Sequence, residues 1–343
     1  MKSISFDQYF NEKELWPLLD VRSPKEFAKG HVPGAYNLPI FDDEERAEIG
    51  TLYKQNSKES AMMRGLEIAG SKMTRYVEQA RFLLAGKEVA VHCWRGGKRS
   101  ASMGTLLEFM GYDVQILQSG YKAYRKLILS DFLEKKLKIV VLGGKTGSGK
   151  TEVLKKLKAA GEQIIDLEGL ANHKGSAFGA LGEKPQPTVE QFENNLYEVF
   201  RKLDPDRRVW VENESKSIGR VFIPEGLWSQ MAQGTLALIE VPFERRVSRL
   251  VNDYGSFPSE ELVFSLQKVS KRMGFNNVKE AMDAFKVGNL EKATGIALSY
   301  YDKAYQHATD KKPFAQKINL QTDNTDPAKT ALQLIKLANE YEN

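Results

Sequence analysis

The sequence predicts an α/β protein made of two parallel-sheet domains, with a block of helices inserted into the second. Its 343 residues are enough for two domains of ordinary size. Short β-branched runs alternate with helical patterns in both halves of the chain, which is the order expected of parallel sheets. A charged segment over residues 131–138 is the predicted connector. We therefore predict one domain over residues 1–130 and a second over residues 131–343.

The first domain is predicted from alternation and helical spacing. Its predicted strands are residues 18–21, 87–92 and 114–117, and its predicted helical segments are residues 24–28 and 62–85, one from Ser100 and one after Gly120. Residues 30–37 have the composition of a turn that leads into a short extended segment.

The second domain is predicted from a further series of apolar runs. Its predicted strands are residues 138–143, 163–167, 208–212, 235–241 and 317–320. Residues from about 258 to 312 are helical in pattern, with breaks at Gly274 and Gly288. Because a strand and a final helix over residues 326–341 follow this block, we predict an insertion rather than a third domain.

The composition is that of a soluble cytoplasmic enzyme with no membrane partner. No apolar run is long enough to cross a bilayer, and the N-terminus lacks the apolar core of a signal peptide. The formal charge of +5 permits an acidic partner such as RNA but does not require one. The single cysteine excludes an internal disulfide and a cysteine-cluster metal site. A covalent intermediate on sulfur must therefore be discharged by a substrate, an outside thiol or a second subunit.

That cysteine, Cys93, follows the predicted strand 87–92 and precedes the helical pattern that starts at Ser100. Glycines in the intervening loop let backbone N–H groups point inward, and the helix N-terminus adds its positive end. A thiol in this position ionises readily and faces a bound anion, which predicts a catalytic nucleophile beside an oxyanion site. The alternative, a buried inert cysteine, is disfavoured by the neighbouring cations. The predicted anion-binding residues are Arg95, Gly96, Gly97, Lys98 and Arg99.

A second anion site is predicted at residues 144–151, Gly-Lys-Thr-Gly-Ser-Gly-Lys-Thr, which fit the P-loop pattern between a strand and a helix. Backbone amides of such a loop hold a di- or triphosphate, Lys150 neutralises charge, and Thr151 is a candidate ligand for Mg²⁺. The predicted diphosphate-binding residues are Gly144, Gly147, Ser148, Gly149, Lys150 and Thr151. The loop by itself does not specify which molecule carries the phosphates.

Further candidates surround this second site. Glu212 ends a predicted strand and is either a Walker B acid or a surface or cap carboxylate. A basic helical stretch, Arg245, Arg246 and Arg249, is either phosphate-binding or a solvated helix face. Two polar, glycine-containing loops, residues 172–182 with Phe178 and Leu181, and residues 212–219, are predicted to contact substrate.

The first domain resembles the rhodanese family, through residues 20–39, Asp-Val-Arg-Ser-Pro-Lys-Glu-Phe-Ala-Lys-Gly-His-Val-Pro-Gly-Ala-Tyr-Asn-Leu-Pro, and through the Cys93 loop. Rhodaneses hold sulfur or a related chalcogen as a persulfide on the loop cysteine. We predict a structural role for residues 20–39, including His31. Residues 94–98 separate Cys93 from Arg99, one residue more than in the common rhodanese loop. Phosphatases that share the fold use the longer loop to enclose a tetrahedral oxyanion, which favours a selenophosphate or thiophosphate donor.

The combination Cys-Trp-Arg-Gly-Gly-x-Arg-Ser with a following P-loop resembles the tRNA 2-selenouridine synthase family. Residues 173–179 and 212–219 resemble the same family, so the implied fold is a rhodanese-like domain followed by a P-loop NTPase-like domain. The resemblance implies modification of the tRNA wobble uridine in two steps, in which geranyl diphosphate alkylates 2-thiouridine and selenophosphate then supplies selenium. It implies a prenyl pocket near Phe178 and Leu181, selenium carried on Cys93, and a possible Mg²⁺ without a tightly bound organic cofactor.

Contacts with RNA are predicted only as scattered candidates. The basic candidates are Lys268, Lys271 and Arg272, and the stacking candidates are Tyr300, Tyr301 and Tyr305, for which a packed core is the alternative. No recognised RNA-binding motif is present, so the tRNA substrate rests on the resemblance. Two other functions remain open at this point: a kinase fused to a thiosulfate sulfurtransferase, and a nucleotide-gated binding module without catalysis.

Overall fold

A computed structural model describes residues 1–12 and 14–342, which form two compact units, Met1–Asp131 and Phe132–Asn343. Each unit contains one parallel five-stranded sheet with helices packed against it. The predicted α/β class is therefore confirmed. Of the helices that the structure describes, none combines the length and the apolar character needed to span a bilayer.

The first unit alternates short strands and helices. In chain order they are β1 Lys2–Ile4, α1 Phe6–Phe10, β2 Leu18–Asp20, α2 Pro24–Lys29, β3 Tyr36–Asn37, α3 Asp43–Gln55, α4 Lys58–Ser71, α5 Met73–Leu83, β4 Glu88–His92, α6 Lys98–Phe109, β5 Asp113–Leu117 and α7 Gly120–Glu134. The strand order is β1-β5-β4-β2-β3, and all these pairs are parallel. β4 is thus the central strand, and Cys93 follows its carboxyl end.

Three expectations for this unit are corrected. The predicted helix over residues 62–85 is two helices, α4 and α5, which meet at Lys72. The edge strand β1 and the helix α3 were not predicted, because β1 is only three residues long and α3 has no buried side chain to give an apolar stripe. The predicted connector over residues 131–138 is wrong in its first half, since α7 continues to Glu134.

The second unit has the remaining elements. In chain order they are β6 Lys138–Gly144, α8 Lys150–Ala159, β7 Gln163–Ile165, α9 Leu167–Ala171, α10 Val189–Phe200, β8 Arg208–Glu212, β9 Ser217–Ile218, β10 Val221–Phe222, α11 Glu225–Gln233, β11 Thr235–Glu240, α12 Phe243–Tyr254, α13 Ser259–Gln267, α14 Ser270–Met273, α15 Phe275–Lys286, α16 Leu290–Asp310, β12 Gln316–Gln321 and α17 Pro327–Glu342. The sheet order is β12-β11-β6-β8-β7 with parallel pairs, and β9 and β10 form a separate antiparallel hairpin.

The central strand of this sheet, β6, leads directly into the predicted P-loop. The chain leaves β6 for one side of the sheet, β8 and β7, and later returns to the other side, β11 and β12. The carboxyl end of β6 is therefore a point where the strand order reverses, and parallel sheets bind ligands at such points.

The predicted helical insertion is confirmed. Helices α13 to α16 lie in the connection between the neighbouring parallel strands β11 and β12. They have their own apolar core, which includes Leu262, Leu266, Val278 and Phe285. The insertion is therefore a small helical subdomain. Its last helix, α16, packs against α12, which follows the carboxyl end of β11.

Candidate active sites

The thiol of Cys93 is buried under a loop of inward-facing donors. Its Sγ lies 3.3 Å from the N–H of Gly97 and 3.4 Å from the hydroxyl of Ser100, in the first turn of α6. Gly96 has φ +60°, and a Cβ there would meet the backbone oxygen of Leu117 at 2.6 Å. The loop therefore needs glycine at this position to turn its amides toward the sulfur.

These donors favour the thiolate. Burial raises the pKa of the Cys93 thiol, but hydrogen bonds from the side chain and amide of Ser100 and from the amides of Gly97 and Arg95 outweigh burial and lower it below its usual value. The thiol is only 4% exposed, as the inert alternative requires, yet its surroundings are those of a reactive cysteine.

The cations predicted to hold an anion do not all face the loop. Arg95 and Lys98 are exposed, and the Lys98 ammonium lies 2.8 Å from the sulfur of Met62. Arg99 forms a 2.7 Å ion pair with Glu26 of α2. Burial raises the pKa of Glu26, but Arg99 outweighs burial and lowers it, so this carboxylate is ionised and competes with a bound anion for the guanidinium.

A buried ionic cluster supports the loop from behind. Asp20 accepts three hydrogen bonds from the guanidinium of Arg22, and His92 lies 3.6 Å from the same carboxylate. The guanidinium of Arg22 also lies 3.8 Å from the ring centre of Tyr121, whose N–H donates to the Cys93 carbonyl. This part of the segment 20–39 is structural, as predicted. His31 stacks on Phe27 and is likewise a packing residue.

The P-loop of the second unit adopts the geometry that its sequence predicts. Lys150 begins α8 and donates a 3.0 Å hydrogen bond to the carbonyl of Gly144, at the end of β6. Gly149 has φ +79°, and a Cβ there would meet the side chains of Asn324 and Arg249 at under 3 Å. Asn324 also donates to the carbonyl of Ser148. The loop is therefore held in one conformation, with Lys150 directed along it.

Carboxyl groups lie beside Lys150. Thr151 donates a 2.8 Å hydrogen bond to Glu168. Glu168 lies on the next helix, α9, outside the P-loop pattern, so no sequence motif indicates it. Burial raises the pKa of Glu214 to about 8, and Glu168 adds to this effect while Lys150 opposes it. Burial lowers the pKa of Lys150, but Glu168 and Glu214 outweigh burial and raise it. Lys150 is therefore a fully charged ammonium at neutral pH.

Glu212 does not reach this pocket. It is fully buried at the end of β8, and its carboxylate accepts the N–H of Leu167 at 2.8 Å, at the start of α9. Burial raises the pKa of Glu212 well above its usual value. The interpretation of Glu212 as a surface carboxylate is wrong. Its hydrogen bond to the first residue of α9 agrees with the interpretation as a cap carboxylate. Glu168, not Glu212, is the carboxylate that contacts Thr151.

These residues fit a magnesium ion only together with phosphate oxygens. Within residues 1–12 and 14–342, no group of three or more His, Cys, Asp or Glu side chains is arranged to hold a metal. Mg²⁺ commonly takes one or two protein oxygens and completes its shell with phosphates and water. Thr151 and Glu168 are the oxygen ligands that would serve in this way.

The P-loop forms one wall of a large polar pocket of about 960 Å³. Both predicted polar loops contribute to it, through Lys174–Ser176 and through residues 213–216. Trp228, Tyr305 and Lys312 also line this pocket. Burial lowers the pKa of Lys312 to about 8. We call this the phosphate pocket.

A narrow apolar pocket adjoins the phosphate pocket. Its lining residues are Thr146, Ser176, Phe178, Leu250, Val251, Tyr254, Gly255, Leu262, Phe285, Leu290, Thr294, Ala297, Leu298 and Tyr301. The two pockets share some of their lining residues, including Thr146, Ser176 and Tyr254. The junction between the pockets lies at these residues. The inner residues Leu262 and Phe285 belong to the core of the helical insertion. Leu181 packs against that core but does not line the apolar pocket.

The basic stretch of α12 is divided by the structure. Arg245 is exposed and outside both pockets. Arg246 is buried, forms an ion pair with Asp302 at 2.7 Å, and donates to the carbonyl of Thr146, so it braces the P-loop from outside the phosphate pocket. Arg249 lines the phosphate pocket and forms an ion pair with Glu152. The prediction of a common phosphate-binding face therefore fits only Arg249.

The three tyrosines of α16 are placed inside the unit. Tyr300 packs against the core of the insertion. The hydroxyl of Tyr301 accepts the N–H of Ala177 at 3.2 Å, and that of Tyr305 accepts the N–H of Gly144 at 2.8 Å. All three are half-buried, and these contacts favour the packed alternative over stacking on RNA bases. Lys268, Lys271 and Arg272 are exposed on the insertion.

The fold and the two loops define a protein class, in which a unit with a cysteine anion loop precedes a P-loop unit. A family model described as a rhodanese-like domain matches residues 5–127, and one described as the tRNA 2-selenouridine synthase AAA domain matches residues 137–333. The tRNA 2-selenouridine synthase of Sulfurovum sp. strain NBC37-1 is 33% identical, over 86% of this chain and 89% of that protein. That of Shewanella frigidimarina strain NCIMB 400 is 34% identical, over 91% and 82%. The chain belongs to the tRNA 2-selenouridine synthase family.

A solved structure with a similar sequence is also known for part of the chain. It is the crystal structure of the N-terminal domain of a putative ATP/GTP binding protein from Clostridium difficile 630, which is 33% identical with a TM-score of 0.35 and covers 37% of this chain and 99% of that chain.

Proposed function

We propose that this protein converts 2-thiouridine at the tRNA wobble position to 2-selenouridine through an S-geranyl intermediate. The observation that carries the proposal is the junction between the phosphate pocket and the apolar pocket. A prenyl diphosphate has this combination of a charged head and an apolar chain. A nucleoside triphosphate would leave the apolar pocket without a matching group, which disfavours the kinase alternative.

In the first step, the diphosphate of geranyl diphosphate lies on the P-loop and its chain in the apolar pocket beside Phe178. The sulfur of 2-thiouridine attacks C1 of the geranyl group. The C–S bond forms as the C–O bond breaks, diphosphate leaves with the electron pair, and the N3 proton of the base passes to water. Lys150 stabilises the charge that develops on the leaving group. Thr151 and Glu168 would hold a Mg²⁺ ion, which would supply further positive charge beside the diphosphate.

In the second step, the Cys93 loop holds selenophosphate. The P–Se bond breaks, water completes the phosphorus as inorganic phosphate, and selenium bonds to C2 of the base as geranylthiolate leaves. The inward-facing amides of the loop and the positive N-terminal end of α6 suit a small tetrahedral anion. The guanidinium of Arg99 lies at the rim of the loop, where it is held by Glu26 until an anion replaces that carboxylate.

The tRNA contact is proposed on the helical insertion. Phe264 and Phe275 are 61% and 73% exposed, and the ammonium of Lys268 lies 4.8 Å from the ring centre of Phe264. Lys271 and Arg272 are exposed in the same stretch of chain. Exposed aromatic rings beside cations suit unpaired RNA bases and their phosphates.

The proposal is tested with an anticodon stem-loop RNA that carries 2-thiouridine at the wobble position. We expect geranyl diphosphate and Mg²⁺ to give S-geranyl-2-thiouridine, and later addition of selenophosphate to give 2-selenouridine, as measured by mass spectrometry of nucleosides. A parallel reaction contains ATP instead of geranyl diphosphate. Unmodified thiouridine in the first reaction, with ATP consumed in the second, would support the kinase alternative.

A further inference from the structure

Whether Cys93 can carry selenium depends on the oxidation states of selenium and sulfur in the reaction. Selenium in selenophosphate is bonded to phosphorus and has the oxidation state of selenide. Carrying it on Cys93 as a selenosulfide would oxidise sulfur and selenium together by two electrons. No second cysteine is present to take part in such a redox step. A selenosulfide therefore needs an external oxidant, which the reaction with selenophosphate does not supply.

The surroundings of Cys93 suit attack on phosphorus. The sulfur lies at the base of a loop whose amides point inward, with the Gly97 N–H at 3.3 Å. Residues 94–98 give this loop the length that encloses a tetrahedral oxyanion. Ser100 places a hydroxyl 3.4 Å from the sulfur and 3.0 Å from the carbonyl oxygen of Gly97. Its single proton is donated to that carbonyl while the thiol is protonated, and rotation of the hydroxyl donates it to the sulfur when the thiolate is the nucleophile or the leaving group. Arg99 at the rim is available to two phosphoryl oxygens once it exchanges Glu26 for the substrate.

We propose that Cys93 attacks the phosphorus of selenophosphate and releases selenide, so that the cysteine carries a phosphoryl group rather than selenium. This inference rests on the proposed selenophosphate substrate. The S–P bond forms as the P–Se bond breaks, and selenium leaves with the electron pair as hydrogen selenide. Water then hydrolyses the S–P bond to give inorganic phosphate and the free thiol. Hydrogen selenide adds to C2 of the S-geranylated base and expels geranylthiolate, so no oxidant is required.

The experiment uses the full-length protein with thiophosphate and without RNA, so that it does not depend on geranylation. Thiophosphate is chosen because a selenium adduct and a phosphoryl adduct have nearly equal masses, whereas a sulfur adduct is clearly lighter. We expect intact-protein mass spectrometry to show a phosphoryl group on Cys93 and a sulfide assay to show release of sulfide. A sulfur adduct without phosphorus would overturn the proposal.

Ser100→Ala separates the two halves of the reaction. At a pH above the thiol pKa of both proteins, the thiolate forms equally in each and only its departure differs. Loss of the Ser100 hydroxyl is then expected to slow hydrolysis about tenfold and to increase the phosphoryl adduct. Cys93→Ser should form no labile thiol adduct. Thr105→Ala, further along α6 and exposed, is the control. Sulfide release by Cys93→Ser at the wild-type rate would also contradict the proposal. Normal RNA geranylation with no phosphoryl adduct would contradict this inference alone.

A second, independent observation concerns the hydroxyl of Tyr305. Lys312 can only donate, and its ammonium lies 2.6 Å from Oδ1 of Asn213, which orients that amide. The Asn213 NH₂ group therefore donates to Tyr305 at 3.0 Å, and the N–H of Gly144 donates to the same oxygen at 2.8 Å. The hydroxyl oxygen thus accepts twice, and among the described residues no acceptor receives its proton. Tyr305 lines the phosphate pocket.

We infer that Tyr305 donates a hydrogen bond to a phosphate oxygen of the ligand on the P-loop. The hydroxyl and the Lys150 ammonium contact the N–H and the carbonyl of the same residue, Gly144, so both lie at the start of the loop. The helical insertion therefore adds a neutral donor to the backbone amides and cations of this site. In the proposed geranylation this donor stabilises the departing diphosphate.

A double-mutant cycle on binding of inorganic diphosphate tests this inference. Tyr305→Phe is expected to weaken binding about tenfold, whereas Tyr300→Phe, on the same helix but outside the phosphate pocket, is the unchanged control. Asn213→Asp introduces an acceptor that draws the hydroxyl proton away from the pocket. Asn213→Asp should therefore weaken diphosphate binding several-fold more in the wild type than in Tyr305→Phe. In the Tyr305→Phe background, only the negative charge of the new aspartate affects binding. Equal effects in both backgrounds, or unchanged binding by Tyr305→Phe, would overturn the assignment.

Discussion

Cys93→Ser is expected to abolish formation of 2-selenouridine while S-geranyl-2-thiouridine accumulates. The serine hydroxyl fills the position of the thiol and accepts the donors that surround it, so the loop keeps its hydrogen bonds. A hydroxyl does not ionise there and cannot serve as the nucleophile, so we expect selenium insertion to fall by more than about a thousandfold. Geranylation depends on the P-loop and should proceed at the wild-type rate.

The measurement is mass spectrometry of nucleosides from cells that carry the variant and from the purified reaction. Wild-type amounts of 2-selenouridine would show that Cys93 is not required. Loss of both products would show that the two sites are not separable. Thermal unfolding of the variant near the wild-type midpoint is the control for folding.

The same thiol determines a pH dependence. Because the hydrogen bonds around Cys93 lower its pKa below the usual value for a cysteine, its thiolate persists to a lower pH than that of an ordinary cysteine. The rate of sulfide release from thiophosphate should fall only when the pH drops through this lowered pKa. Ser100→Ala removes one of the donors and should move the midpoint to higher pH.

Lys150→Ala is expected to have the opposite effect to Cys93→Ser: geranylation is lost and selenium insertion is retained. The variant removes a half-buried ammonium from the P-loop, and with it the positive side chain of the loop that faces the leaving diphosphate. Loss of one preorganised charge at such a position reduces rates by about a hundredfold to a thousandfold. When RNA that already carries S-geranyl-2-thiouridine is supplied, the variant should convert it to 2-selenouridine with selenophosphate.

The control for charge is Lys158→Ala, on the exposed side of the same helix, which should geranylate normally. Removal of Lys150 also leaves Glu168 and Glu214 without their nearest cation, so Lys150→Met is measured in parallel to keep the volume of the side chain. Geranylation by either Lys150 variant at the wild-type rate would exclude the P-loop as the diphosphate site.

The local features of both sites could be predicted from the sequence. A P-loop and a cysteine loop are contiguous, and their geometry depends on glycines at fixed positions, such as Gly96 and Gly149 with positive φ. The helical insertion was also predictable. A long stretch with helical apolar spacing, interrupted only at Gly274 and Gly288, has a strand pattern before it and a strand and a helix pattern after it. Sequence patterns were less successful where an element lacks an apolar stripe, as in α3, or continues through charged residues, as in α7.

The tertiary structure decided which distant side chains serve each loop. Tyr305, 161 residues after Gly144, contacts the P-loop because the connection between β11 and β12 brings α16 back to the carboxyl end of the sheet. The same fold places Glu168 on Thr151 and buries Glu212 behind α9, although sequence position favoured Glu212. The physical reason is that backbone loops are specified locally, whereas parallel strands joined by crossovers bring separate segments to one edge of the sheet. Sequence alone determined the two anion loops and their order, and the packing of the helical insertion determined the apolar pocket and the acids and donors beside them.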